Sequence, residues 1–157
     1  MIVAGKDFMP IVADALMRNQ QVRMTANGSS MTPFIYDGDT VELEPLHSSP
    51  ERGSIVLAAS RHDQFVMHRV VRKRKGIVYL RGDFHFIFDC EGPFSEKDII
   101  GKVVCSRHRK QVRVHNEGLW KTAGLVWMLF CPLGTLLYRL AVFLRSFMRR
   151  IVRSSTV

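Results

Sequence analysis

From Gln21 to His115 the chain alternates short apolar-polar runs with turn chemistry. Period-two alternation over four to eight residues is the pattern of a half-buried strand. It predicts strands at Gln21–Ala26, Thr40–Leu43, Ser54–Ala59, Phe65–Arg72, Ile77–Arg81, Ile99–Ser106 and Gln111–His115. Asp37-Gly38-Asp39, Ser48-Ser49-Pro50, Arg72-Lys73-Arg74-Lys75-Gly76 and Glu91-Gly92-Pro93 read as the breaks between them. Before the first strand, residues 7–19 carry a helical period. Phe8, Ile11, Val12, Ala15 and Leu16 share one face, Asp7 is placed to cap, and Pro10 falls in the first turn. The expected fold is mainly β: an antiparallel, partly closed, barrel-like domain over 21–116, preceded by a helix in 1–20.

After Asn116 the pattern changes. Thr122–Tyr138 is 17 residues without a charge, interrupted by Cys131-Pro132-Leu133-Gly134. From Leu140 to Arg153 the sequence becomes amphipathic. Arg139, Arg145, Arg149, Arg150 and Arg153 lie on one side of a helical projection, and Leu140, Leu144, Phe147, Met148 and Ile151 on the other. The Pro-Leu-Gly break leaves pieces shorter than the ~20 residues a spanning helix needs. Region 117–157 is therefore expected to associate with a membrane surface through residues 119–153, its basic flanks on the cytoplasmic side. A helical hairpin packed on the β domain or on a partner is the competing arrangement, and a transmembrane span a third. A chain ending near Asn116 is expected to be soluble.

Charge sharpens this division. Of 157 residues, 1–100 hold 12 Lys/Arg against 13 Asp/Glu, a net −1, whereas 101–157 hold 11 against one, a net +10. The β region thus gives no electrostatic case for nucleic acid, and the Lys/Arg cluster at 72–75 reads as a solvated hairpin tip. Cys90, Cys105 and Cys131 show no paired spacing, which fits a reducing compartment and buried thiols rather than disulfides. No metal-ligand spacing occurs, and neither metal nor cofactor is expected. The N-terminus shows no signal-peptide pattern.

Candidate chemistry is concentrated in two places. Gly28-Ser29-Ser30-Met31-Thr32-Pro33 is a turn-like segment bearing serines, with Gly28 able to make it tight and Pro33 fixing the chain beyond. His68 lies in Phe65-Val66-Met67-His68-Arg69-Val70-Val71, on the same strand face as Val66 and Val70. A serine hydroxyl needs a base to take its proton, and an imidazole base needs its other nitrogen held by an acceptor. Asp83 and Asp89 follow the next strand and are the candidates for that acceptor.

Ser30-Met31-x-Pro33, Gly38-Asp39-x-Val41, His68-Arg69-Val70, Gly82-Asp83 and Asp98-Ile99-Ile100-Gly101-Lys102-Val103 form an ordered set. Over residues 22–106 this set resembles the signal peptidase I family of the S24/S26 serine peptidase superfamily, and within it the endoplasmic-reticulum and archaeal type. The common bacterial type has a lysine where His68 stands, so the resemblance implies a Ser–His pair. It also implies Ser30 as nucleophile, His68 as base, Asp89 as the third member and Asp83 as support. Ser29, Gly28, Met31 and Pro33 would surround the oxyanion and substrate. Phe84-His85-Phe86-Ile87-Phe88 replaces the family's Asn-rich continuation, and Gly28 stands where a serine is common. The family's N-terminal membrane anchor is not seen. The expectation is a specialised processing peptidase cutting a leader or signal-like peptide, with a non-catalytic peptide-binding module at the membrane as the rival. An autocleaving regulator of the LexA type, which uses Ser–Lys, is disfavoured.

Overall fold

The computed structural model describes residues 8–60, 64–84, 90–115 and 118–130. Its centre is an eight-stranded antiparallel sheet: β1 (Val22–Thr25), β2 (Thr40–Pro45), β3 (Ile55–Ser60), β4 (Gln64–Arg74), β5 (Ile77–Arg81), β6 (Glu91–Ser95), β7 (Ile99–His108) and β8 (Gln111–Val114). The order across the sheet is β1-β2-β7-β3-β4-β5-β6, with β8 paired to β7. The fold is mainly β and antiparallel, as the alternation predicts, and the sheet does not close.

β3 explains how so open a sheet still builds a core. Its Ile55-Val56-Leu57-Ala58 run is apolar at every position, so both faces must be covered. Ile55 and Leu57 join Val41, Leu43 and Val103 in one buried cluster, capped by Val12 and Leu16 of α1 (Met9–Met17) and by Met31 and Ile35 of the β1–β2 connection. Val56 and Ala58 join Val70, Val78, Leu80, Phe94 and Ile99 in a second cluster.

The face of α1 differs from the helical projection. Val12, Ala13 and Leu16 are buried, whereas Ile11 is 64% exposed. Leu16 sets this rotation by lying against Gly101 of β7, where an added Cβ would come within 3.0 Å of both the Leu16 side chain and the Glu44 carbonyl. Asp7, the expected cap, lies outside the described residues, and Phe8 occupies the N-cap without a side-chain bond.

Glu91-Gly92-Pro93 also differs: it is the first half of β6 and not a break. Proline cannot donate to a ladder, and Gly-Pro therefore reads as a turn in sequence. At the outer end of the sheet path one side of the strand needs no donor. The β5–β6 register shifts between Val78 and Leu80, pairing Val78 with Phe94 and Leu80 with Glu91, so the bulge at Gly92-Pro93 absorbs one extra residue.

Residues 118–130 form helix α2, which packs on the β domain. The Trp127 indole N–H donates to the Asp83 carbonyl at 2.9 Å, and Arg81 Nη2 donates to the Met128 carbonyl at 3.3 Å. The rings of Trp120 and Trp127 meet Phe34 edge-on at 6.4 and 6.3 Å. Among the described residues no helix is long and apolar enough to cross a membrane. The Pro-Leu-Gly break and the arginine-rich stretch 139–153 lie outside them.

Candidate active site

Ser30 sits in the connection between β1 and β2, whose shape is set by local hydrogen bonds. Gly28, at φ +99°, donates its amide to Asp37 Oδ1 at 2.7 Å, and the Tyr36 amide reaches Asp39 Oδ2 at 2.8 Å. The amides of Phe34 and Ile35 return to the Met31 carbonyl, each at 3.0 Å. With Met31 and Ile35 sunk into the first core cluster, the single turn between them is anchored at both ends and carries Ser30 on its rim. Arg113 fixes the far side by donating from Nη1 to the Phe34 carbonyl at 3.0 Å.

His68 arrives from β4. It pairs with Val56 of β3 and is 6% exposed. Its Nε2 lies 3.1 Å from Ser30 Oγ, and its Nδ1 lies 3.1 Å from Glu91 Oε2. Residues 30 and 68, which the sequence nominated as a pair, are thus brought together. Glu91 was not nominated, because its segment read as a turn. The bulge that shifts the β6 register sits directly beside it.

Asp83 is placed elsewhere in the same network. Its two carboxylate oxygens accept from Nε and Nη2 of Arg69, each at 2.7 Å, and Arg69 Nη1 donates to the Gly53 carbonyl at 2.7 Å. Arg69 is 1% exposed and stacks over Phe34 at 4.8 Å. Burial pushes the Asp83 carboxyl above its ordinary range, against the pull of Arg69 and the weaker pulls of Arg81 and His68. Asp83 also connects closely to the Ser30 backbone, since the next residue, Phe84, donates its amide to the Ser30 carbonyl at 2.9 Å. Asp89 lies outside the described residues.

Of the residues expected around the oxyanion, Gly28 has its amide engaged by Asp37. Ser29 is exposed, with its carbonyl accepting from the Thr32 amide at 3.1 Å. Met31 is buried, and Pro33 offers its carbonyl to Arg113 Nη1 at 3.3 Å. A cavity of about 190 Å³ opens beside the pair, with Ser30 and His68 on its wall and Ala26, Met31, Ile35, Phe65 and Met67 supplying apolar lining.

The cavity lies between two backbone edges. β1 is the end of the sheet path, and β4 pairs with β5 only from Arg69 onward, so the Phe65–His68 stretch has strand pairing to β3 alone among the described residues. An extended chain can be received in such a place. No group of side chains able to hold a metal ion occurs among the described residues.

Of the cysteines, Cys90 is exposed and not buried as expected, and Cys105 is half-buried with its thiol pushed up to about 11 by burial and by Glu42.

No curated protein matches the chain. A family model described as Peptidase S24-like matches residues 4–104, a stretch that includes Ser30, His68, Arg69, Asp83 and Glu91. A serine hydroxyl and an imidazole within hydrogen-bonding distance beside a cavity of mixed lining fit the serine peptidase-type function of that family, and the chain belongs to the peptidase S24-like family.

Proposed function

We propose that this protein is a serine endopeptidase of the signal-peptidase-like, Ser–His kind, removing a leader or signal-like segment from a dedicated peptide or protein substrate. The observation that carries the reading is the 3.1 Å separation of Ser30 Oγ and His68 Nε2, with Glu91 on the other imidazole nitrogen. In the neutral tautomer with Nδ1 protonated, Nδ1–H donates to the Glu91 carboxylate and Nε2 accepts the Ser30 proton. Ser30 Oγ then attacks the scissile carbonyl while His68 takes the proton. His68 returns it to the leaving amine as the C–N bond breaks, and the acyl-Ser30 ester is hydrolysed by a water that His68 deprotonates in turn.

Backbone amides around Ser29–Ser30 would hold the oxyanion, since the Gly28 amide is already engaged. The apolar side chains among the cavity's lining, Met31, Ile35, Phe65 and Met67, favour a small or medium aliphatic side chain next to the cut, with flanking residues extended along β1 and along the Phe65–His68 stretch.

A fluorophosphonate probe tests the reading. Labelling of the wild type at Ser30, lost in Ser30→Ala and strongly slowed in His68→Ala, is the expected result. Equal labelling of wild type and Ser30→Ala, or none of the folded wild type, leaves a non-catalytic peptide-binding scaffold.

A further inference from the structure

Helix α2 is apolar on both sides. Its inner side carries Trp120, Gly124 and Met128 toward the β domain, as the Phe34, Arg69 and Arg81 contacts require. On the other side Leu119 is 78%, Val126 46%, Leu129 63% and Phe130 62% exposed. At about 100° per residue these four fall within an arc of about 100°. Trp127, 39% exposed, stands at the border of the two faces, and Phe84, beyond the Asp83 carbonyl that Trp127 holds, is 64% exposed. A soluble helix normally turns charge outward; here the only charged residue of 118–130 is Lys121, which is paired with Glu51 at 3.3 Å.

We infer that this outer face of α2 seats on an anionic lipid bilayer. Charge selects that occupant. The apolar run continues uncharged to Tyr138, and the sequence from Arg139 to Val157 then holds five arginines and no acidic residue. Apolar side chains followed in sequence by arginines without acidic residues match the acyl–headgroup boundary of a negatively charged leaflet, where basic residues add electrostatic attraction near the surface. A second copy of the chain would bring two segments of net +10 together. Seating α2 in this way holds the cleft close to the bilayer, because Trp127, at the border of that face, donates to the Asp83 carbonyl, and the neighbouring Phe84 is bonded to the Ser30 backbone.

The experiment is co-sedimentation of the full chain with vesicles of phosphatidylcholine alone and of phosphatidylcholine with about 30 mol% phosphatidylglycerol at about 0.1 M salt. Wild type is expected to partition onto the anionic vesicles, and Val126→Ser/Leu129→Ser/Phe130→Ser to partition at least about tenfold less. Leu119→Ser/Leu129→Ser, at the two most exposed positions, gives the same comparison if the triple variant does not fold, with circular dichroism melting as the check. Binding is read without turnover, so an inactive protein that binds fails only the peptidase reading. Wild type that ignores anionic vesicles, or folded variants that bind them equally, overturns the inference. So does a wild-type dimer in light scattering that the triple variant converts to monomer, since a second copy would then cover the face.

Discussion

Arg69 and Asp83 form a buried two-pronged ion pair, with Nε and Nη2 each 2.7 Å from a carboxylate oxygen and less than 5% exposure on either side chain. The pair joins β4, one residue after His68, to the segment that holds the Ser30 carbonyl through Phe84. Its geometry fits a guanidinium fork and not an ammonium point charge. Asp83→Asn removes the charge that Arg69 needs and should lower stability by about 3–5 kcal/mol; Arg69→Lys should cost a similar amount despite its conserved charge. Urea denaturation followed by tryptophan fluorescence measures both. A loss below about 1 kcal/mol in either variant would show that the pair is replaceable and does not brace the site.

Ser30, His68 and Glu91 should behave as a unit in catalysis. Ser30→Ala and His68→Ala are each expected to lower turnover by about 10³-fold or more, and the double variant no further, because either single loss already disables proton transfer to and from the nucleophile. Glu91→Gln keeps the shape but removes the charge facing Nδ1. The Glu91 side chain is 39% exposed, so water can replace part of its role, and a drop of at least about tenfold in kcat is expected with little change in KM. Asp89→Asn, compared in parallel on a cleavable peptide, decides which carboxylate orients the imidazole. Independent, additive losses at 30 and 68 would contradict a shared step.

Seven of the eight strands were legible from local alternation, whereas the Ser30–His68 pair, weak in its local signals alone, was legible through the ordered set of motifs that carries the family resemblance. Glu91 was not, since Gly-Pro marks a turn unless the strand is known to run at the end of a sheet path, and that position is fixed only by the β5–β6 pairing. The pairing of Arg69 was hidden for a different reason. A lone arginine in an apolar strand gives no hint of its partner, and the Gly53 carbonyl, Phe34 ring and Asp83 carboxylate reach it from separate parts of the chain. Region 117–157 read as a segment apart from the β domain because its apolar run has no visible partner in sequence. Trp120, Gly124 and Trp127 in fact complete the packing around Phe34 and Arg69.

Gly124 is where α2 comes closest to that arginine. A Cβ at this position would fall 2.5 Å from Arg69 Nη1 and 2.9 Å from Cζ. The guanidinium cannot retreat without leaving Asp83 or Gly53, so Gly124→Ala must push the helix away. A destabilisation of about 1–3 kcal/mol is expected, although alanine is the better helix former. Trp127→Phe, which removes the bond to the Asp83 carbonyl and shrinks the ring that meets Phe34, should cost about 1–3 kcal/mol. Thermal melts of the two variants against wild type give the comparison, and a neutral or stabilising Gly124→Ala would mean that α2 does not press on Arg69.

His115 makes stability depend on pH. It is 2% exposed, its Nε2 lies 2.8 Å from the Ser106 hydroxyl, and among the described residues its Nδ1 has no hydrogen-bond partner. Burial, helped by the charges of Arg69 and Arg113, lowers its pKa from 6.5 to about 4. The folded protein therefore keeps the ring neutral while the unfolded chain takes up a proton, and the sign follows. The contribution is fully present above pH 6.5, declines as pH falls below it, and is gone once pH has passed the folded value near 4. Its size across that window is about 3 kcal/mol. Denaturant midpoints between pH 7 and pH 4 should fall for wild type, and His115→Gln, which cannot titrate, should remove that part of the slope. An unchanged slope in a folded His115→Gln would assign the acid sensitivity to other groups.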